Sequence, residues 1–105
     1  MKITYEKLVR DRIPEIIQES GAECKIRTLD DEEYLEMIDK KLEEELAEYR
    51  ADGSIEELAD LIEVIYAAAM ARGYSISELE RIRVGKREER GGFDKCILLI
   101  ETETK

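Results

Sequence analysis

The chain has 105 residues, 43% hydrophobic and 42% charged, with 27 Asp and Glu against 17 Lys and Arg for a net charge of −10. That length admits one domain with one modest core, and the acidic balance speaks against a sequence-independent grip on DNA or RNA, which works by neutralising many phosphates. There is no His, which removes Ser-His and Cys-His nucleophilic catalysis and histidine-based metal sites.

Cys24 and Cys96 are the two thiols, widely separated and without zinc or CxxC spacing. They read as buried small hydrophobes of a reducing cytosol. No apolar run approaches a membrane span and the N-terminus lacks a signal-peptide core, so the expected setting is cytoplasmic, with no membrane partner.

Residues 1–12 look extended or irregular. Pro14 suits the first turn of a short helix, where its missing N–H costs nothing, and Gly21 ends it. Residues 23–29 (ECKIRTL) alternate polar and apolar, predicting a short strand. Asp30, with Glu33 three residues on, reads as the N-cap of a helix running to about Ala51. Leu35, Ile38, Leu42, Leu46 and Tyr49 recur along it at steps of three or four and make one apolar stripe.

Asp52-Gly53 stops that helix, and Ser54 caps the next, which runs to about Arg72 before Gly73. Its second half, 61–71, is apolar nearly all round, predicting a central buried helix. Ser75 or Ser77 starts another helix reaching roughly Glu89, which Gly91-Gly92 breaks. Residues 93–101 (FDKCILLIE) are β-like and could pair with 23–29, and the last four residues are expected to fray. The fold class is therefore mainly α, an antiparallel helical bundle with a small β element from residues near 23–29 and 93–101.

The hairpin between the two long helices carries the informative pattern. Glu44, Glu45 and Glu48 form one flank of the first helix, and Glu57 and Asp60 lie about 60° apart on the second. At about 1.5 Å per residue from the turn, Glu48 and Glu57 share one level and Glu45 and Asp60 the next. Four carboxylates at two matched levels make an oxygen cage suited to Mg²⁺ or Mn²⁺ rather than zinc. Partly buried like charges repel unless a cation lies between them. The same residues also admit plainer roles. Glu57 can complete a capping box with Ser54, and Glu44 and Glu48 can be solvated neighbours balanced by Lys40 and Lys41. From pattern alone both readings stand.

EELAE at 44–48 followed by ELAD at 57–60 resembles the EExxE…ExxD signature of the MazG-like, all-α nucleoside triphosphate pyrophosphohydrolases, relatives of phosphoribosyl-ATP pyrophosphohydrolase. The segments YEKLVRDRIPEII (5–17) and KREERGGF (86–93) resemble flanking motifs of a small house-cleaning branch of that superfamily. The eight residues between the acidic motifs are fewer than is usual in MazG proper, so its substrate preference does not transfer.

The resemblance implies one domain over 1–105 that hydrolyses the α–β phosphoanhydride of noncanonical nucleoside triphosphates to monophosphate and pyrophosphate. By the same resemblance Glu45, Glu48, Glu57 and Asp60 would ligate Mg²⁺ (or Mn²⁺), with Glu44 contributing directly or through water. Glu44 and Glu45 are then equal candidates to take the proton of the attacking water. Lys7, Arg10 and Arg12, and Lys86, Arg87 and Arg90 beside Gly91-Gly92, form two basic groups in an acidic chain. Arg suits phosphate through its fork of donors. These six residues would bind the triphosphate, the alternative being ion pairs with surface Glu. Phe93 would pack in the core or stack on a base.

The same sequence admits two competing readings: phosphoribosyl-ATP as the dedicated substrate, and a non-enzymatic acidic helical interaction module. Helices apolar on more than one face in so short a domain need more cover than one chain supplies, which predicts at least a dimer, and the resemblance implies a homodimer or homotetramer.

Overall fold

A computed structural model describes residues 1–104. Four helices follow in order: α1 (Ile13–Glu19), α2 (Asp31–Asp52), α3 (Ile55–Ala71) and α4 (Ile76–Arg90). Their boundaries have local causes. Pro14 lies in the first turn of α1. The Asp30 side chain accepts a hydrogen bond from the Glu33 amide at 2.8 Å, and the Ser54 and Ser75 hydroxyls accept from the Glu57 and Glu78 amides at 3.3 and 3.0 Å. Each thereby satisfies one of the amides left free at a helix start. Of the two serines expected to open the last helix, Ser75 is the cap. Glu33 does not close a capping box. Its carboxylate is held instead by both Nη atoms of Arg27, at 3.1 and 2.9 Å.

Gly53 ends α2 with φ of 70°, a left-handed conformation that a side chain would strain, and its amide bonds to the Tyr49 carbonyl at 2.7 Å. The chain reverses within two residues, so α2 and α3 run antiparallel. Their contact is the main one in the molecule, and α4 touches only α3. The far end of the hairpin is pinned by Arg72 Nη2, which donates to Asp39 Oδ2 at 3.0 Å. α4 is held to α3 by the Tyr66 hydroxyl, which donates to Glu80 Oε1 at 3.0 Å. No helix is long and apolar enough to cross a membrane, among the described residues.

Several expectations are corrected by this arrangement. The described residues contain no strand. Cys96 has φ of 56°, and its amide closes a turn onto the Phe93 carbonyl at 3.2 Å, so the apolar run does not start extended. Neither 93–101 nor 23–29 makes a backbone hydrogen bond to another segment among the described residues, and a strand without a ladder is not stable. Cys24 is half-buried and Cys96 exposed, so neither is a core residue. Phe93 is likewise exposed, packing neither in a core nor beside the acidic residues.

The apolar second half of α3 is not buried all round. One chain supplies it with one long neighbour, α2, and leaves Ile62, Ile65 and Met70 substantially exposed. On α2, Ile38 is the one buried hydrophobic residue among the described residues, whereas Leu46 from the expected stripe is half-exposed. Lys105, the last residue of the tail expected to fray, lies outside the described residues.

Candidate functional site: a carboxylate cluster between α2 and α3

The α2–α3 hairpin sets the site. Glu44, Glu45 and Glu48 offer carboxylate oxygens that all lie within 4.8 Å of one another, and so do Glu45, Glu57 and Asp60. Glu45 belongs to both groups and is the hinge of the cluster. It is also the deepest member, with only 6% of its surface exposed. Helical spacing explains the placement: i, i+1 and i+4 on α2, and i and i+3 on α3, turn these side chains toward the shared seam.

The electrostatics follow from that crowding. Burial raises the Glu45 carboxyl above its ordinary value, and the neighbouring Glu48 charge raises it further, against the lowering effect of Lys41. Glu57 is raised in the same way, first by burial and then by Glu48, Asp60 and Glu45. Glu45 Oε2 and Glu57 Oε2 are buried without a hydrogen-bond partner. Leaving a buried polar atom unpaired costs roughly 1–3 kcal/mol, and more for a charged group. The Glu57 amide serves the Ser54 cap, but no hydrogen bond among the described residues has its carboxylate complete a capping box, and one of its oxygens is buried with nothing of the protein to meet it.

Cations of the chain reach the rim. Arg10 Nη2 donates to Asp60 Oδ1 at 2.7 Å, fifty residues away in sequence, and Lys7 Nζ lies 3.6 Å from Glu44 Oε1. The irregular N-terminal segment is thus laid across the hairpin. In the sequence Lys41 reads only as balancing surface charge. It lies 3.4 Å from Glu44 and 3.5 Å from Glu45 and is itself largely covered, making it a built-in counter-charge for the cluster. Its i, i+3 and i, i+4 spacing to these glutamates was the signal that marks it.

The other basic residues are placed elsewhere. Arg12 pairs with Glu15 at 3.3 Å, one turn along α1. Arg87 lies 3.6 Å from Asp94. Lys86 and Arg90 make no ion pair among the described residues, and α4 makes no contact with α2. One chain therefore gathers Glu44, Glu45, Glu48, Glu57, Asp60, Lys7 and Arg10, but not Arg12, Lys86, Arg87 and Arg90.

An all-oxygen set with two oxygens short of partners is donor chemistry for a hard divalent cation, and it fits Mg²⁺ or Mn²⁺ better than a soft metal. No protein-family model and no solved structure matches the chain. A protein of Mycolicibacterium smegmatis, described only as uncharacterized, is 60% identical to it over 45 residues. That stretch is 43% of this chain and 46% of the relative, so the chain spans about half the length of the relative it matches.

Proposed function

We propose that this chain is a Mg²⁺-dependent nucleoside triphosphate pyrophosphohydrolase of the MazG-like, all-α kind, with noncanonical triphosphates as substrates. The observation that carries the reading is the pair of buried, unpartnered oxygens of Glu45 and Glu57 inside a five-carboxylate seam. A protein that only displayed acidic residues to a basic partner would have no use for burying them against one another.

Glu45, Glu48, Glu57 and Asp60 would hold the cation, which when bound supplies charge neutralisation for the triphosphate and polarises the attacked phosphorus. Lys7 and Arg10 stand at the mouth of the seam as partners for phosphate oxygens, and Arg10 exchanges its ion pair with Asp60 for one with substrate. Glu44 or Glu45 accepts a proton from water as the water oxygen bonds to phosphorus. The bridging oxygen then leaves with pyrophosphate.

The test is a pyrophosphate-release screen over ordinary, deoxy and damaged nucleoside triphosphates together with phosphoribosyl-ATP, with Mg²⁺ and with chelator. Expected is Mg²⁺-dependent release of pyrophosphate and a monophosphate from a noncanonical triphosphate, abolished in a Glu48→Gln, Asp60→Asn variant. Turnover of phosphoribosyl-ATP alone would assign the dedicated biosynthetic substrate instead. Failure to turn over any triphosphate would leave the acidic interaction module as the better reading.

A further inference from the structure

The single chain leaves too much of itself uncovered. Its accessible surface is 9856 Å², whereas a compact monomer of 12.2 kDa exposes about 6,100 Å². Its radius of gyration is 18.6 Å, against about 13 Å for a compact domain of this length, and its longest dimension is 66 Å. The excess is about 3,800 Å² per chain, or about 7,600 Å² for a pair, which is ample for the roughly 2,000–5,000 Å² that an obligate homodimer interface buries on both partners together.

The exposed apolar surface is concentrated in two places. One is the C-terminal segment, where Phe93 and Ile97 to Ile100 are between 75% and 97% exposed and no residue of the same chain covers them. The other is the outer face of the hairpin, where Ile55, Ile62 and Met70 on α3 and Leu46 on α2 stand at least 46% exposed. Charge distinguishes the two places as well. The distal half of α4 carries Arg81, Arg83, Lys86, Arg87 and Arg90 against two glutamates, whereas α2 and α3 are strongly acidic. Beyond Glu80, α4 is exposed on every side. Basic and apolar surface thus projects away from a hairpin that is acidic and apolar, and it is not folded back onto it.

We infer that the distal half of α4 and the C-terminal segment form a docking arm whose occupant is the α2–α3 hairpin of a second copy of this chain. The arm supplies apolar side chains to the uncovered faces of α2 and α3 and positive charge to their acidic flank. A second copy is the partner that matches in both respects, and the area left open suits it. The inference is independent of the reaction proposed above.

Sedimentation equilibrium of the full chain over about 1–100 μM tests it, together with hydrogen exchange of the 96–101 amides. Expected is a mass of at least twice 12.2 kDa, with the 96–101 amides protected severalfold or more at the high end and losing protection as the assembly is diluted apart. A Leu98→Asp, Ile100→Asp variant should weaken self-association at least a hundredfold, because both residues stand more than 80% exposed in their own chain. A monomer at 100 μM, or 96–101 amides that exchange like an unstructured peptide at every concentration, would overturn the inference. Protection in a monomer would show instead that the arm folds back on its own hairpin, which overturns it equally. If the variant loses its helical circular dichroism, the exchange measurement on the parent decides.

Discussion

Neutralising Glu45 is expected to stabilise the protein in the absence of a divalent cation and to lose that advantage in its presence. Glu45 Oε2 is buried with no partner, and Lys41, 3.5 Å from the other oxygen, offsets only part of the charge. A Glu45→Gln change keeps the shape, removes one of the mutually repelling carboxylates and gives the seam an N–H donor. In chelator that should stabilise the protein by about 1 kcal/mol, the lower end of the cost of an unpaired buried polar group. For a domain of about 100 residues this raises the thermal midpoint by roughly 4–8 °C. With Mg²⁺ at a hundred times its dissociation constant, the parent gains about 2.7 kcal/mol. A variant binding the metal tenfold more weakly gains only about 1.4 kcal/mol at the same concentration. The variant should therefore melt above the parent in chelator, and its Mg²⁺-induced shift should be about half the parent's. Circular-dichroism melts in the two buffers measure both quantities. The reasoning fails if the variant melts well below the parent in chelator and Mg²⁺ moves neither protein.

Other consequences follow from particular residues. Ile38→Ala removes the one buried hydrophobic side chain among the described residues, and should cost about 2–5 kcal/mol in urea titration; a loss under 1 kcal/mol would place the core elsewhere. The Arg10–Asp60 pair is half-exposed, so Arg10→Ala should change stability by less than about 1 kcal/mol. The same change should lower kcat/KM for a triphosphate by about 10–100-fold, the worth of a charge-assisted hydrogen bond; equal kcat/KM would remove Arg10 from the substrate site.

The carboxyls of Glu45 and Glu57 are raised when folded, so the folded state holds protons more tightly than the unfolded one. Their ionisation is a penalty present at neutral pH, and it disappears as pH falls through the raised values toward the ordinary value of 4.5. Glu33, lowered by Arg27, contributes in the opposite sense: its stabilisation is present above 4.5 and is lost as pH falls through the lowered value. Comparing Glu45→Gln with its parent cancels the Glu33 contribution. In chelator the gap between their midpoints should therefore narrow as pH falls from about 7.5 to 4.5, and a gap independent of pH would contradict the shift.

The sequence made legible what depends on neighbours within one or two turns. Asp30, Ser54 and Ser75 cap helices where their residue types announce it, and Gly53 turns the chain at a fixed height. That height is why simple counting along two helices brought Glu45 level with Asp60. The strands could not be judged so locally, because a strand requires a distant partner, and 23–29 and 93–101 do not meet in one chain. The burial of α3 was misjudged for a related reason: an apolar run tells how much cover a helix needs, not whether its own chain supplies it. The basic groups divide in the same way. Arg10 reaches a carboxylate fifty residues away, a contact that spacing does not reveal, while Arg12 settles on Glu15 and Arg87 on Asp94, close neighbours in sequence.

Calorimetric titration of the full chain with Mg²⁺ or Mn²⁺, beside a Glu48→Gln, Asp60→Asn variant that removes one charge from each helix, tests most directly whether α2 and α3 share a cation. Saturable binding by the parent and its loss in the variant is the expected result. Equal heats from both proteins, or none from the parent, would mean that the seam holds no metal.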